Sequence, residues 1–138
     1  MSLFRRSKKE DEPSTQWKIT HDCLSFIFES AKSTHPNEFA GLLRVDDVSK
    51  DTIIELMLLP GTISGSSHAI FQMHMRPVDF SLVGSVHSHP SPSFYPSDAD
   101  LALFRKYGRV HIIAAYPYNI DSWQAYDGKG NKIEVRVI

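Results

Sequence analysis

The sequence predicts an α+β fold in which a mixed, curved β-sheet is flanked by helices. Three observations predict it. Two segments carry apolar residues at helical spacing, and short β-branched and aliphatic runs lie between and after them. One run, Val110 to Tyr116, is almost wholly apolar, as a central strand covered on both faces is. A length of 138 residues suits one domain and leaves little room for a second.

Residues 1–16 are polar and charged without apolar periodicity and read as a disordered tail, so the folded domain is expected to run from Trp17 to Ile138. Thr20 is a suitable N-cap for a first helix, with Leu24, Ile27, Phe28 and Ala31 at the i, i+3, i+4, i+7 spacing of a buried face. That helix must end before His35-Pro36, because a residue preceding proline is pushed out of the α region. Strands are expected at Phe39 to Val45, Thr52 to Leu59, Ala69 to Met75 and Leu82 to His87. Ser97 to Tyr107 reads as a second helix, with Leu101 and Phe104 inward and Gly108 just past its end. After the apolar strand, Ser122 to Tyr126 and Lys132 to Ile138 flank Asp127-Gly128-Lys129-Gly130, a hairpin signal.

Composition narrows the function. With 41% hydrophobic and 22% charged residues, the chain has the make-up of a soluble globular protein. A formal charge of −1 argues against a nucleic-acid binder, which gathers a basic excess on one face. No apolar run approaches the roughly 20 residues that span a bilayer. The start has arginines but no apolar h-region, so it is not a secretory signal. Cys23 is the single cysteine, which excludes an internal disulfide and a cysteine zinc cage. A reducing, cytoplasmic setting is expected, and any metal site must be built from His, Asp and Glu.

Such residues stand close together between Val86 and Asp100. His87 and His89 are i and i+2 on a strand and therefore project to one face. Pro90 stops the strand, and a Ser- and Pro-rich loop leads to Ser97 and Asp100 at the start of the second helix. Two imidazoles and one carboxylate, with the fourth tetrahedral position left to water, make an open zinc site of the catalytic type. Each part also has a plain structural reading. A lone His-x-His is often no ligand pair, and Ser97-x-x-Asp100 also matches a capping box. The coincidence of three spacings within fourteen residues favours the site.

These residues, with Glu38 in the run Pro36-Asn37-Glu38-Phe39-Ala40-Gly41-Leu42-Leu43, resemble the JAMM (MPN+) motif of zinc-dependent isopeptidases. The similarity covers Trp17 to Ile138 and is closest to the short archaeal-type members, whose fold is cytidine-deaminase-like. The resemblance implies that His87, His89 and Asp100 hold one Zn²⁺, that Glu38 is the general base, and that Ser97 donates to the oxyanion. It further implies cleavage after the C-terminal Gly-Gly of a ubiquitin-like modifier, which would be the protein's partner. On placement alone, Phe94 and Tyr95 are candidate walls of a narrow substrate channel. Two other tasks fit the resemblance: trimming a C-terminal extension from a small sulfur-carrier protein, or serving as a non-catalytic scaffold. Scaffolds of that type typically lack a metal ligand, and here all five motif residues are present. His35 reads as an ordinary helix-end histidine, and His68, His74 and His111 have no ligand-spaced partner and read as structural or exposed. Arg105, Lys106 and Arg109 read as a solvated basic cluster on the second helix.

Overall fold

The computed structural model describes residues 15–58 and 80–138. The strand expected at Ala69 to Met75, the histidines at 68 and 74, and nearly all of the 1–16 segment lie outside the described residues. The elements are β1 (Lys18–Ile19), α1 (His21–Thr34), β2 (Ala40–Val45), β3 (Thr52–Leu58), β4 (Leu82–His89), α2 (Asp98–Lys106), β5 (Val110–Ala115), β6 (Trp123–Tyr126), β7 (Lys132–Ile133) and β8 (Arg136–Val137). All strands belong to one sheet of order β7-β6-β5-β4-β2-β3-β1-β8. Pairing is mixed: β4 with β5 and β1 with β3 and β8 run parallel, and the remaining pairs are antiparallel. The fold is the expected α+β arrangement.

Helix α1 starts where its sequence provides a cap: the Thr20 hydroxyl accepts from the Cys23 N–H. Its buried stripe is Cys23, Leu24, Ile27 and Ala31, which packs on the sheet with Leu43, Ile53, Val86 and Ile112. Fully burying one such aliphatic side chain stabilises by about 1.5–3 kcal/mol, so the stripe fixes the helix on this face of the sheet. Burial also pushes the Cys23 thiol up to about 12, which makes it a core hydrophobe and no nucleophile.

Helix α2 is also bounded as the sequence predicts. Ser97 is its N-cap within a capping box, and Gly108 follows it at φ 77°, a left-handed conformation that glycine adopts without strain. Leu103 and Phe104 face inward, and Leu101 is only partly covered. Arg109 lies beyond the helix, with its guanidinium 5.1 Å from the centre of the Trp17 ring, so it is not part of a solvated helical cluster. Strand β4 crosses β5 closely at Gly84, where a Cβ would overlap the Val110 carbonyl.

One expectation needs correction. Lys132 to Ile138 is two short strands, not one, and they belong to opposite rims of the sheet. β7 pairs with β6, whereas β8 pairs with β1. Three residue steps separate Ile133 from Arg136, a reach of at most about 11 Å, so the sheet must curl until its rims nearly meet. Trp17, Trp123, Ile133 and Val135 line the seam. Alternation alone cannot reveal this break, because the side-chain pattern continues through it while the hydrogen-bond partner changes.

Candidate active site

The site forms at the C-terminal end of β4, in the middle of the sheet. The alternation of the strand puts His87 and His89 on one face, with ring centres 5.1 Å apart, and Ser88 on the other. Pro90 then diverts the chain. The loop that follows lets α2 begin beside the two imidazoles, with Asp100 on its first turn, 3% exposed.

Asp100 does two things at once. Its Oδ2 accepts from the Ser97 N–H at 2.9 Å, closing the capping box. Its carboxylate also meets both histidines, with Oδ1 3.0 Å from His87 Nε2 and Oδ2 3.2 Å from His89 Nε2. The capping box is present, and the same carboxylate also brings the two imidazoles together. The His87 contact is off the hydrogen-bond direction, which leaves its Nε2 a buried nitrogen without a hydrogen-bond partner. Burial raises the Asp100 carboxyl, but His87, His89 and the Ser97 N–H outweigh it and hold the group far below the usual carboxylate range. For His89, burial disfavours the charged form; Asp100 and the Ser93 carbonyl oppose it, and the net shift is upward.

His89 Nδ1 lies 2.9 Å from the Ser93 carbonyl oxygen, which can only accept. Nε2 faces the Asp100 carboxylate at 3.2 Å, so both ring nitrogens of His89 point at acceptor oxygens and the ring is held from both ends. The loop is held from behind by Tyr126, whose hydroxyl donates to the Phe94 carbonyl at 2.5 Å.

Glu38 enters from the opposite side. The last antiparallel pair of β2 and β4 is Ala40 with His87, so the continuing register carries Glu38 opposite His89. Ser88 secures that approach. Its Oγ accepts from the Phe39 N–H at 2.9 Å, and its own N–H donates to the Phe39 carbonyl at 3.1 Å. Donor atoms of Glu38, His87 and His89 all lie within 4.8 Å of one another.

The donor set fits zinc. Neighbouring donors of a tetrahedral site with bonds of about 2.0–2.1 Å sit roughly 3.3 Å apart. The Asp100 to histidine distances of 3.0 and 3.2 Å match this, and His87 Nε2 is buried with no hydrogen bond besides its Asp100 contact. Both carboxylates are within reach of the imidazoles. Asp100 touches both rings directly, whereas Glu38 completes only the looser group.

Ser97 is exposed at the helix start, and its Oγ accepts from the Asp100 N–H, which leaves the hydroxyl proton available. Phe94 is half-buried against Phe104, Ile113 and Tyr126, and Tyr95 is exposed. Lys132 Nζ stands 5.8 Å from the Phe94 ring centre and 5.1 Å from that of Tyr95. His111 is fully buried, bonded through Nδ1 to Ser85 Oγ at 2.7 Å and stacked on Phe104. His35 is more than a helix-end residue: its Nδ1 is 2.6 Å from the Tyr118 hydroxyl and its ring stacks on Tyr116. Ser88, the Ser93 carbonyl and the His35–Tyr118 pair escaped sequence reasoning. Only the position of Ser88 between two candidate ligands offered a signal.

Comparison with known proteins agrees with this geometry. The family model described as prokaryotic homologs of the JAB domain matches residues 20–126. A probable metalloprotease of Haloferax volcanii is 41% identical over 127 residues, which cover 87% of this chain and 78% of that protein. A solved structure described as a JAMM metalloprotease-like zinc site in the proteasome and signalosome is 42% identical, with a TM-score of 0.69 over 90% of this chain and 99% of its own. The crystal structure of a JAB1/MPN domain protein from Archaeoglobus fulgidus is 38% identical, also at a TM-score of 0.69, covering 91% of this chain and 99% of its own. Among the described residues no helix is long and apolar enough to cross a membrane. Matched over most of its length by the family model and by these relatives, the chain belongs to the prokaryotic homologs of the JAB domain, within the JAMM family of zinc metallopeptidases.

Proposed function

We propose that the protein is a zinc isopeptidase that removes ubiquitin-like modifiers by cleaving the bond after their C-terminal Gly-Gly. The observation that carries the reading is the convergence of Asp100 on both imidazole Nε2 atoms, with Glu38 arriving from the other side. His87, His89 and Asp100 hold the metal, and the unit that carries the activity runs from Trp17 to Ile138. Bound there, zinc supplies Lewis acidity, which brings the pKa of a water toward about 7.

The remaining work falls to side chains. Glu38 takes a proton from the attacking water and returns it to the departing amine as the C–N bond breaks, a transfer typically worth about 10²–10⁴-fold. The Ser97 hydroxyl, whose oxygen is already engaged by the Asp100 N–H, donates its proton to the carbonyl oxygen as negative charge develops there. The loop through Phe94 and Tyr95 lines the approach and admits only an unbranched tail. A flexible Gly-Gly terminus suits such a passage, and an extended tail can add main-chain hydrogen bonds along a sheet edge. The single buried thiol fits work in the reducing cytoplasm.

The test is Glu38→Gln, with zinc content and cleavage of a lysine-linked modifier conjugate measured together. Zinc retained at one per chain with turnover reduced at least a hundredfold supports the assignment. Loss of zinc would make Glu38 a ligand and overturn the assigned coordination. A wild-type protein that leaves the conjugate intact but trims a C-terminally extended carrier would overturn deconjugation in favour of precursor processing.

A further inference from the structure

We propose that Tyr118 and His35 are positioning residues for Glu38, clamping the turn that brings its carboxylate to the two imidazoles. The inference rests on the reading of Glu38 as the general base. Pro36 has no amide proton, so the turn from α1 into β2 has one donor fewer with which to fix its own path. After Glu38, the Ser88 hydroxyl holds the turn by the Phe39 N–H. Before Glu38, the hold is on His35. Its Nδ1 lies 2.6 Å from the Tyr118 hydroxyl, and its ring stacks on Tyr116 with centres 5.0 Å apart. That hydrogen bond forms with either tautomer of His35, since a phenol both donates and accepts.

The residue that grips His35 is itself fixed. Tyr118 is buried, its ring meets those of His35 and Tyr116 edge-on, and its N–H donates to the Ala115 carbonyl at 2.8 Å. Its φ of 64° is left-handed, a conformation that a residue other than glycine keeps only where its surroundings impose it. The same segment also reaches the other half of the site. The Tyr116 N–H is shared between the His89 carbonyl at 3.0 Å and the Ser91 carbonyl at 3.1 Å. Residues 116–118 thus hold the end of the histidine strand by backbone and the start of the Glu38 turn by their rings. Burial first, then Tyr116 and the charge of Glu38, push the Tyr118 phenol upward, so the carboxylate lies within electrostatic reach of the clamp. One short segment therefore sets the gap between the base and the imidazoles.

The experiment compares wild type, Tyr118→Phe, His35→Phe and Glu38→Gln, with each clamp variant also combined with Glu38→Gln. Tyr118→Phe removes the hydroxyl and keeps the ring. His35→Phe, at an exposed position, breaks the same contact from the other end and keeps a ring to stack on Tyr116, so it serves where Tyr118→Phe does not fold. Cleavage of a lysine-linked modifier conjugate is followed in steady state and in single turnover, with zinc content, and the metal-free proteins are crystallised. In either clamp variant kcat should fall about tenfold, short of the roughly hundredfold that about 1 Å of misplacement costs, with KM and zinc content little changed. The crystals should show the Glu38 carboxylate displaced from His87 and His89 and the Asp100 contacts intact. Adding either clamp substitution to Glu38→Gln should slow it no further. A merely structural role would slow Glu38→Gln as well, and that result overturns the inference. Unaltered kcat in both clamp variants, with Glu38→Gln slowed at least a hundredfold, would also overturn it and leave Glu38 as the base. Full activity of Glu38→Gln would overturn the base reading itself. If wild type leaves the conjugate intact, the crystals still decide: a Glu38 carboxylate in its wild-type place in the clamp variants refutes the proposal.

Discussion

Ser88 sits between the two histidines, faces away from them, and is fully buried with Phe39 at 2% exposure. Replacing it with alanine removes the acceptor of the Phe39 N–H and leaves the reciprocal Ser88 N–H to Phe39 carbonyl bond in place. A buried amide left without a partner costs about 1–3 kcal/mol. The vacated hydroxyl is smaller than the volume a water needs, so solvent cannot repair the loss. At about 3–5 °C per kcal/mol for a domain of this size, Tm should fall by roughly 3–15 °C. The same slack frees the segment that delivers Glu38, and misplacing a catalytic group by about 1 Å can cost about a hundredfold. Calorimetry, zinc analysis and single-turnover cleavage of a modifier conjugate should therefore show lower Tm, unchanged zinc stoichiometry, and a rate reduced tenfold to a hundredfold. A Tm within 1 °C of wild type (well below the roughly 3 °C minimum) would refute the unsatisfied-amide argument. Reduced Tm with full activity would refute the link between Ser88 and Glu38.

Other perturbations test other parts of the site. Asp100→Asn keeps an oxygen to accept from the Ser97 N–H, so α2 should start normally by circular dichroism, while zinc affinity by chelator competition falls more than the roughly tenfold to hundredfold that outer-shell changes cost. Burial brings His111 down to about 4, so between that value and 6.5 the unfolded chain binds more protons than the folded one. Stability of metal-free protein tied to this residue is therefore complete above pH 6.5 and declines toward pH 4, a span worth about 3 kcal/mol; urea titrations of His111→Gln should show a correspondingly shallower loss. Replacing both Phe94 and Tyr95 with alanine should raise KM for a Gly-Gly-tailed conjugate severalfold with zinc content intact, and unchanged steady-state kinetics would remove them from the substrate path.

The sequence made most of the architecture legible because its strongest signals are local. Thr20 and Ser97 cap the helices they precede, Gly108 takes the positive φ past α2, and Val110 to Ala115 is a buried strand in the middle of the sheet. The ligand candidates were legible for a similar reason, since strand alternation and a capping box fix their directions within a few residues. Features that depend on distant pairing were not. β1 is two residues long, too short for any period to show, and the division of β7 from β8 lies in their partners. The roles of Ser88 and Ser93 rest on a bond to Phe39 49 positions away and on a backbone carbonyl that no side-chain pattern encodes. Tyr118 reaches His35 across 83 positions, which leaves a lone histidine looking ordinary.

The strand order carries a dynamic consequence. β4, which bears both imidazoles, has three strands on one side and four on the other, and the short strands β7 and β8 occupy the rims. Fraying starts where ladders are shortest and backbone is most open to solvent, and it advances inward strand by strand. The histidine strand is thus the last place that local opening reaches. Amide protons of β4 and β5 should exchange only through global unfolding, so the face that carries both imidazoles would stay preassembled while the seam opens and closes many times.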